Sequence, residues 1–340
     1  MGKDTDSKNI LIIKPGAIGD LLQLTPVIRA LATRYPGSRI SILVGTRATA
    51  TLFKCNPYVA ETLVFDRRGE HGSLSSLLKL WQHMRRMKYN LVINFQRSNL
   101  KTWLLATAAL PCRALIYHKT RNQSVHVVDN YLDTLTPLGI FGQNRNLELA
   151  VGDEDERFAE ALFSSNKYGG ELVIALNPGA SHPVNHWGAD RFAALADALV
   201  KGLSAKVIII GGPEDIVLAK EISSATASRP LVLCGNTTLL QLGAVLKRCS
   251  LLISGDTGPL HLATAVGTRV VALFGAADPA RTGPVGTGHR VLQAHGVACR
   301  PCRRRVCTSG IDLECMKKIS TQEVLDAVRE MLNPERTEIV

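Results

Sequence analysis

The chain is short of several features, and each shortage excludes something. No apolar run reaches the roughly 18 residues that a helix needs to cross a bilayer; the longest are interrupted, as by Pro111, Cys112 and Arg113. The opening Met1-Gly2-Lys3-Asp4-Thr5-Asp6 is polar and carries acids, so no secretory signal is expected and a cytoplasmic location is. Aromatics are only 5% of the residues, and the basic side chains are scattered, without the long basic runs or aromatic interleaving that track a nucleic-acid strand. Nucleic acid is therefore not the expected partner. The turn after the first apolar strand lacks both G-x-G-x-x-G and the Gly-Lys-Ser/Thr ending of a P-loop, which argues against a nicotinamide-dependent oxidoreductase.

What is present is an ordinary folded composition, 46% apolar and 20% charged, in a chain of 340 residues that is long enough for two domains. The charge is uneven. Residues 1–150 hold 20 Lys/Arg against 9 Asp/Glu, whereas residues 151–340 hold 20 of each, so the formal excess of +11 lies wholly in the first half. A field of one sign suits an anionic partner such as an acidic membrane surface or a phosphorylated substrate; solubility is the plainer use of the same charge.

Short β-branched runs alternate with longer amphipathic segments, the mark of βαβ units. Asn9–Lys14 reads as a buried strand, followed by a loop and a helix from about Asp20 to Tyr35 that stops at Pro36-Gly37. Strands at Arg39–Val44, Leu63–Phe65, Asn90–Phe95 and Ala114–Tyr117 continue the pattern, with helices at Leu74–Met87, Leu100–Leu110 and Val127–Leu138. The acidic Gly152–Glu156 and the segment Asn166–Gly170 read as loops that break it. The alternation then restarts, from a strand at Glu171–Leu176 to a terminal helix at Thr321–Leu332. The expected fold is α/β: two doubly wound, Rossmann-like domains, 1–155 and 156–340, facing one another across a cleft, with ligands at the carboxyl ends of the strands.

Four segments could carry chemistry. In Lys14-Pro15-Gly16-Ala17-Ile18-Gly19-Asp20 the glycines let backbone approach a ligand closely. Asp20 falls at a helix start, either as an N-cap or first-turn residue or as a general base kept ionised by helix amides. Ser254-Gly255-Asp256-Thr257-Gly258-Pro259-Leu260-His261 follows a strand and opens a helix whose free amides suit a pyrophosphate. Asp256 is placed to reach sugar hydroxyls, and His261 either donates to phosphate or is a satisfied interior histidine. Asn177-Pro178-Gly179-Ala180-Ser181 lies at another strand end, where Ser181 and the loop amides suit phosphate. Glu214, in Gly211-Gly212-Pro213-Glu214, either meets ribose hydroxyls or only starts a helix. Last, Cys299, Cys302, Cys307 and Cys315 form C-x2-C-x4-C-x7-C, half of the eight cysteines. In a cytoplasmic chain that clustering suggests a tetrahedral structural zinc site, its thiols ionised by Arg300, Arg303, Arg304 and Arg305; reduced loop thiols are the other reading. Cys55, Cys112, Cys234 and Cys249 read as small buried apolar residues.

Taken together, Ile12–Pro26 (IIKPGAIGDLLQLTP), Asn177–Ser181 (NPGAS), Ser254–Ala265 (SGDTGPLHLATA) and Val270–Gly275 (VVALFG) resemble, in order and position, glycosyltransferase family 9 over about residues 9–332. These are the heptosyltransferases of lipopolysaccharide core assembly. The resemblance implies a GT-B fold with the sugar nucleotide on the C-terminal domain and the acceptor on the N-terminal one. It implies metal-independent, inverting single displacement of heptose from ADP-L-glycero-D-manno-heptose onto a sugar hydroxyl of the growing core, with no cofactor required for catalysis. On the same footing Asp20 would take the acceptor's proton and Asp256 would hold the heptose. Thr257 and Gly258 would supply amides to the phosphates, Ser181 would touch phosphate and Glu214 the ribose. His261 would complete the loop, and Gly16 is counted with the donor-binding set. The implied acceptor is the anionic Kdo-lipid A or core oligosaccharide, which gives the basic half a purpose and brings the expectation of peripheral contact with the cytoplasmic face of the inner membrane.

One position departs from the pattern. Relatives commonly carry a lysine two residues before the tryptophan that corresponds to Trp187, where it neutralises the departing diphosphate; here Asn185 stands there, followed by His186. Helix amides, His182, His186 or a basic residue elsewhere would then have to meet that charge. A transferase of the same fold using a different nucleotide sugar, and a non-catalytic module that binds acidic glycolipid through the basic half, are the alternative readings.

Overall fold

In a computed structural model of the chain, residues 8–66, 69, 73–96, 100–118 and 124–333 are described. The polar opening Met1–Asp6 lies outside the described residues. The chain divides into two compact units, Met1–Ala150 and Val151–Val340. The division precedes the expected boundary because Gly152–Glu156 is not a linker: Asp153–Ser165 is a helix with four acids in its first turn. Negative charge there is favourable, since the amides at a helix start are unpaired and the dipole is positive. Lys247, on the helix Leu239–Arg248, pairs with Glu156 at 2.7 Å and fastens the new helix to its own unit.

The first unit carries a parallel sheet of five strands: β1 (Asn9–Ile13), β2 (Arg39–Val44), β3 (Val59–Val64), β4 (Leu91–Asn94) and β5 (Arg113–Ile116), in the order β3-β2-β1-β4-β5. Ile10 to Ile13 are fully buried, as a central parallel strand covered on both faces requires. The expected helix from Asp20 to Tyr35 is two helices, Ile18–Leu22 and Thr25–Arg34. Pro26 is the cause. It has no N–H to give Leu22, and the Thr25 hydroxyl donates to that carbonyl instead, at 2.8 Å. The expected helix over Val127–Leu138 likewise ends at Asp133, with a 3₁₀ turn at Thr136–Leu138.

The second unit carries six parallel strands: β6 (Val173–Asn177), β7 (Lys206–Ile209), β8 (Leu231–Val232), β9 (Leu251–Gly255), β10 (Arg269–Phe274) and β11 (Arg290–Gln293), in the order β11-β10-β9-β6-β7-β8. Its core gathers Ile174, Leu176, Ile209, Ile253 and Leu273 of the sheet with Phe192, Leu195 and Leu199 of the helix Ala189–Leu203 and Val324 and Val328 of the helix Thr321–Leu332. In both units the strand order reverses beside a central strand, between β1 and β4 and between β6 and β9. Crevices at such reversals, beyond the carboxyl ends of the strands, are where open α/β sheets bind ligands.

Candidate functional site

In the first unit the reversal is occupied by Asp20. The chain leaves β1 at Lys14, turns at Pro15-Gly16, where the Gly16 N–H donates to the Lys14 carbonyl at 2.8 Å, and enters the helix Ile18–Leu22. Ala17 is the N-cap, and Asp20 is the acid of the first turn, which agrees with its plainer reading as a first-turn residue, but its side chain does not cap the helix. Its carboxylate is held by side chains instead. Lys14 Nζ lies 3.3 Å from Oδ1, and the Tyr131 hydroxyl donates to the same oxygen at 3.3 Å. Lys14 also stands 5.2 Å from the centroid of the Tyr131 ring. The Lys14 side chain is only 10% exposed, whereas that of Asp20 is 41% exposed and open to a ligand. Burial and the neighbouring carboxylate hold the Tyr131 hydroxyl well above the ordinary phenol range, so it stays a donor. Gly16 belongs to this group: a β-carbon there would lie 2.9 Å from Asp20 Cβ and 3.0 Å from Lys14 Cε.

In the second unit Asp256, Thr257, Gly258 and His261 follow β9, beside the end of β6. Asn177, paired with Ser254 across the two strands, donates through Nδ2 to the hydroxyls of Ser254 and Thr257, each at 2.9 Å. Thr257 is thereby turned away from the helix Gly258–Ala265 that it precedes, and no side chain caps that helix. With Pro259 lacking an N–H, the free amides of the first turn begin at Gly258 and resume at Leu260. Asp256 lies beside them and accepts from Thr282 Oγ1 at 3.1 Å. Its burial raises the pKa to about 6, against the lowering by Thr282. His261 Nε2 is 3.8 Å from Asp256 Oδ1, and its imidazole is buried.

Ser181 is exposed, on the loop after β6, and Glu214 is exposed on the 3₁₀ turn after β7. The acid that faces inward there is Asp215, which accepts from the Gly212 N–H at 2.9 Å and is pushed up in pKa by burial. A β-carbon at Gly179 or Gly211 would collide with the Asp215 carboxylate, so both loops fold around this one side chain. Asn185 braces the Asp256 loop, donating to the Asp256 carbonyl at 3.4 Å, and its own carbonyl lies 3.1 Å from where a β-carbon at Gly255 would be. His186 is committed to the Ala180 carbonyl at 3.1 Å. Trp187 anchors this stretch, donating through Nε1 to Ile319 O at 2.8 Å and packing edge-on to Phe192.

The cysteine expectation needs correction. Cys299, Cys302, Cys307 and Cys315 line one cavity of about 270 Å³ with Val184 and Leu313, but no group of three or more ligating side chains among the described residues is placed to hold a metal ion. The tetrahedral zinc site is therefore not supported. Two of the arginines serve other partners: Arg300 bonds the Gly275 and Ala294 carbonyls and Arg303 pairs with Asp278. Burial, together with Cys299 and Cys302 nearby, raises the Cys315 thiol despite Arg300. Of the other four, Cys234 and Cys249 are buried, with thiols pushed up to about 12, while Cys55 and Cys112 are half-buried. Sequence reasoning missed Lys14, Tyr131 and Asp215. For Lys14 a signal existed, a lysine ending a buried strand directly before a candidate loop; for Tyr131, 111 residues from Asp20, none did.

The sequence model of glycosyltransferase family 9 (heptosyltransferase) matches residues 77–311, more than half of the chain. Lipopolysaccharide heptosyltransferase 3 of Escherichia coli is 28% identical over 287 residues, covering 76% of this chain and 80% of the relative. Lipooligosaccharide heptosyltransferase 2 of Campylobacter jejuni is 25% identical over 331 residues, covering 96% and 99%. Among solved structures, a glycosyl transferase family 9 protein from Veillonella parvula superposes with a TM-score of 0.85 at 26% identity, covering 97% of this chain and 99% of that one. With its paired α/β units and its loops at the two strand reversals, the chain belongs to glycosyltransferase family 9.

Proposed function

We propose that this protein transfers heptose from ADP-L-glycero-D-manno-heptose to a sugar hydroxyl of the lipopolysaccharide inner core, with inversion, in a single displacement. Both curated relatives named above are heptosyltransferases of lipopolysaccharide or lipooligosaccharide. The observation that carries the reading is the open helix start at Gly258 beside buried Asp256. Unpaired amides at the positive end of a helix suit a diphosphate, and a carboxylate next to them suits sugar hydroxyls. Thr257 and Gly258 then face the diphosphate, with Ser181 on the adjoining loop; Glu214 meets the ribose, Asp256 holds the heptose and His261 supports Asp256. Asp20 takes the acceptor's proton, and Gly16 is assigned to Asp20 rather than to the donor.

The acceptor is an anionic Kdo-lipid A or core oligosaccharide, in keeping with the basic first half. No helix among the described residues is long and apolar enough to cross a membrane; the contact proposed with the inner membrane is a peripheral one, made through the acceptor. Charge on the departing ADP is met by helix amides or by His182; Asn185 carries none and His186 is bound to the Ala180 carbonyl. The test is turnover by the purified full chain with ADP-heptose and a series of truncated core acceptors, followed by mass spectrometry. One heptose added to an acceptor, with release of ADP, is expected. Stabilisation by UDP but not ADP in thermal shift would instead favour another nucleotide sugar, and acceptor binding without turnover of any donor would favour a binding module.

A further inference from the structure

We infer that Lys14 and Tyr131 are positioning residues for the base: they pin one oxygen of Asp20 and leave the other to meet the acceptor hydroxyl. The inference rests on the reading of Asp20 as the base. Both partners converge on Oδ1, the ammonium and the phenol each at 3.3 Å. A carboxylate held twice through one oxygen does not turn about its Cβ–Cγ bond to exchange the two. No hydrogen bond from a described residue reaches Oδ2, and the place where a side chain at position 16 would begin is 3.0 Å from it. Glycine there leaves Oδ2 uncovered.

Tyr131 is itself fixed from a distance. Its ring packs edge-on to Phe95, just past β4, with centroids 5.1 Å apart, and to Tyr117, just past β5, at 5.2 Å. The direction of its hydroxyl is thus set by two strand ends and transmitted to Asp20. In the reaction the acceptor O–H bond breaks and its proton passes to Asp20 Oδ2. The acceptor oxygen's electron pair forms the new bond to the anomeric carbon, and the bond to the diphosphate breaks with its electrons leaving on ADP. Asp20 is then neutral. Lys14 loses an ionic partner at that moment but keeps the face of the Tyr131 ring, and an ammonium over an aromatic face remains stabilised where little water reaches it. This arrangement lets the base change charge without stranding a buried cation.

The test uses the full chain with ADP-heptose and the best truncated acceptor, comparing Tyr131→Phe, Lys14→Met, Lys14→Arg and Asp20→Asn. Losing a hydrogen bond to a charged group corresponds to about a ten- to hundredfold fall in rate. Tyr131→Phe is expected to lower kcat by about tenfold and Lys14→Met by about a hundredfold, each with both KM values within about twofold. Lys14→Arg should recover part of the loss, which a purely structural role would not require. Tyr131→Phe keeps its ring in the aromatic cluster and decides the question alone if Lys14→Met fails to fold. Unchanged kcat in folded Tyr131→Phe, or a loss confined to acceptor KM, overturns the inference and leaves Asp20 as base. Full turnover by Asp20→Asn overturns both.

Discussion

Two aspartates stand at matching places in the two units, each just beyond a central parallel strand, and their surroundings are opposite. Asp20 is partly open and sits against a cation and a phenol. Asp256 is buried against a threonine hydroxyl, with its pKa raised to about 6. On the proposed reading, an accessible carboxylate held through one oxygen suits proton exchange. On the same reading, a buried one beside a hydroxyl and an open helix start suits hydrogen bonds from a bound sugar. The lesson is that repeating an architecture does not repeat its chemistry; the side chains around each strand end decide it.

Removing the carboxylates separately tests that contrast most severely. Asp20→Asn should lower turnover by about 10²–10⁴-fold, the usual weight of a general base, while ADP binding measured by calorimetry stays within about twofold. Asp256→Asn should act the other way round, weakening ADP-heptose binding about ten- to a hundredfold through lost charged hydrogen bonds. Equal loss of donor affinity in both variants would erase the distinction.

Protonation sharpens it further. Because the folded pKa of Asp256 lies near 6 and the ordinary value is 3.8, the folded chain holds a proton that the unfolded chain has already released. The contribution of this group to stability is therefore greatest below about pH 4 and falls as the pH rises to about 6, by roughly 3 kcal/mol. Urea melts of wild type and Asp256→Asn between pH 4 and 7 should show this fall in the wild type and its removal in the variant.

A smaller effect is expected at Gly16. Gly16→Ala should reduce kcat by about tenfold, because the new methyl displaces Asp20 or Lys14, with a stability loss of about 1–3 kcal/mol from overpacking. Smallest of all is the effect of blocking thiols. Exposed Cys299 should react first with iodoacetamide, and buried Cys234, Cys249 and Cys315 last, as peptide mapping would show.

Much of this was legible in the sequence, and the misses have physical causes. Arg39–Val44 and Thr321–Leu332 coincide with their expected elements because pattern and breakers agree there. The acidic Gly152–Glu156 misled because polar composition marks a linker and a well-charged helix start alike. The four-residue helix Arg47–Ala50 and the edge strand β11 are too short to show a period. For the candidate site, local motifs singled out Asp20, Asp256, Thr257 and Gly258, since a loop after a strand advertises itself. Tyr131 and Asp215 escaped because their roles arise only when distant strand ends meet, and the thiols misled because spacing along a chain does not fix where sulfur atoms point.

Asp215 has a consequence for how this chain can vary over time. Its carboxylate fills the space that a side chain at either Gly179 or Gly211 would need, so three positions on two separate loops share one small volume. Enlarging one member demands a smaller neighbour at another. Across homologues these positions should change in concert, leaving a correlated trace in their sequences even where each position alone looks free to drift.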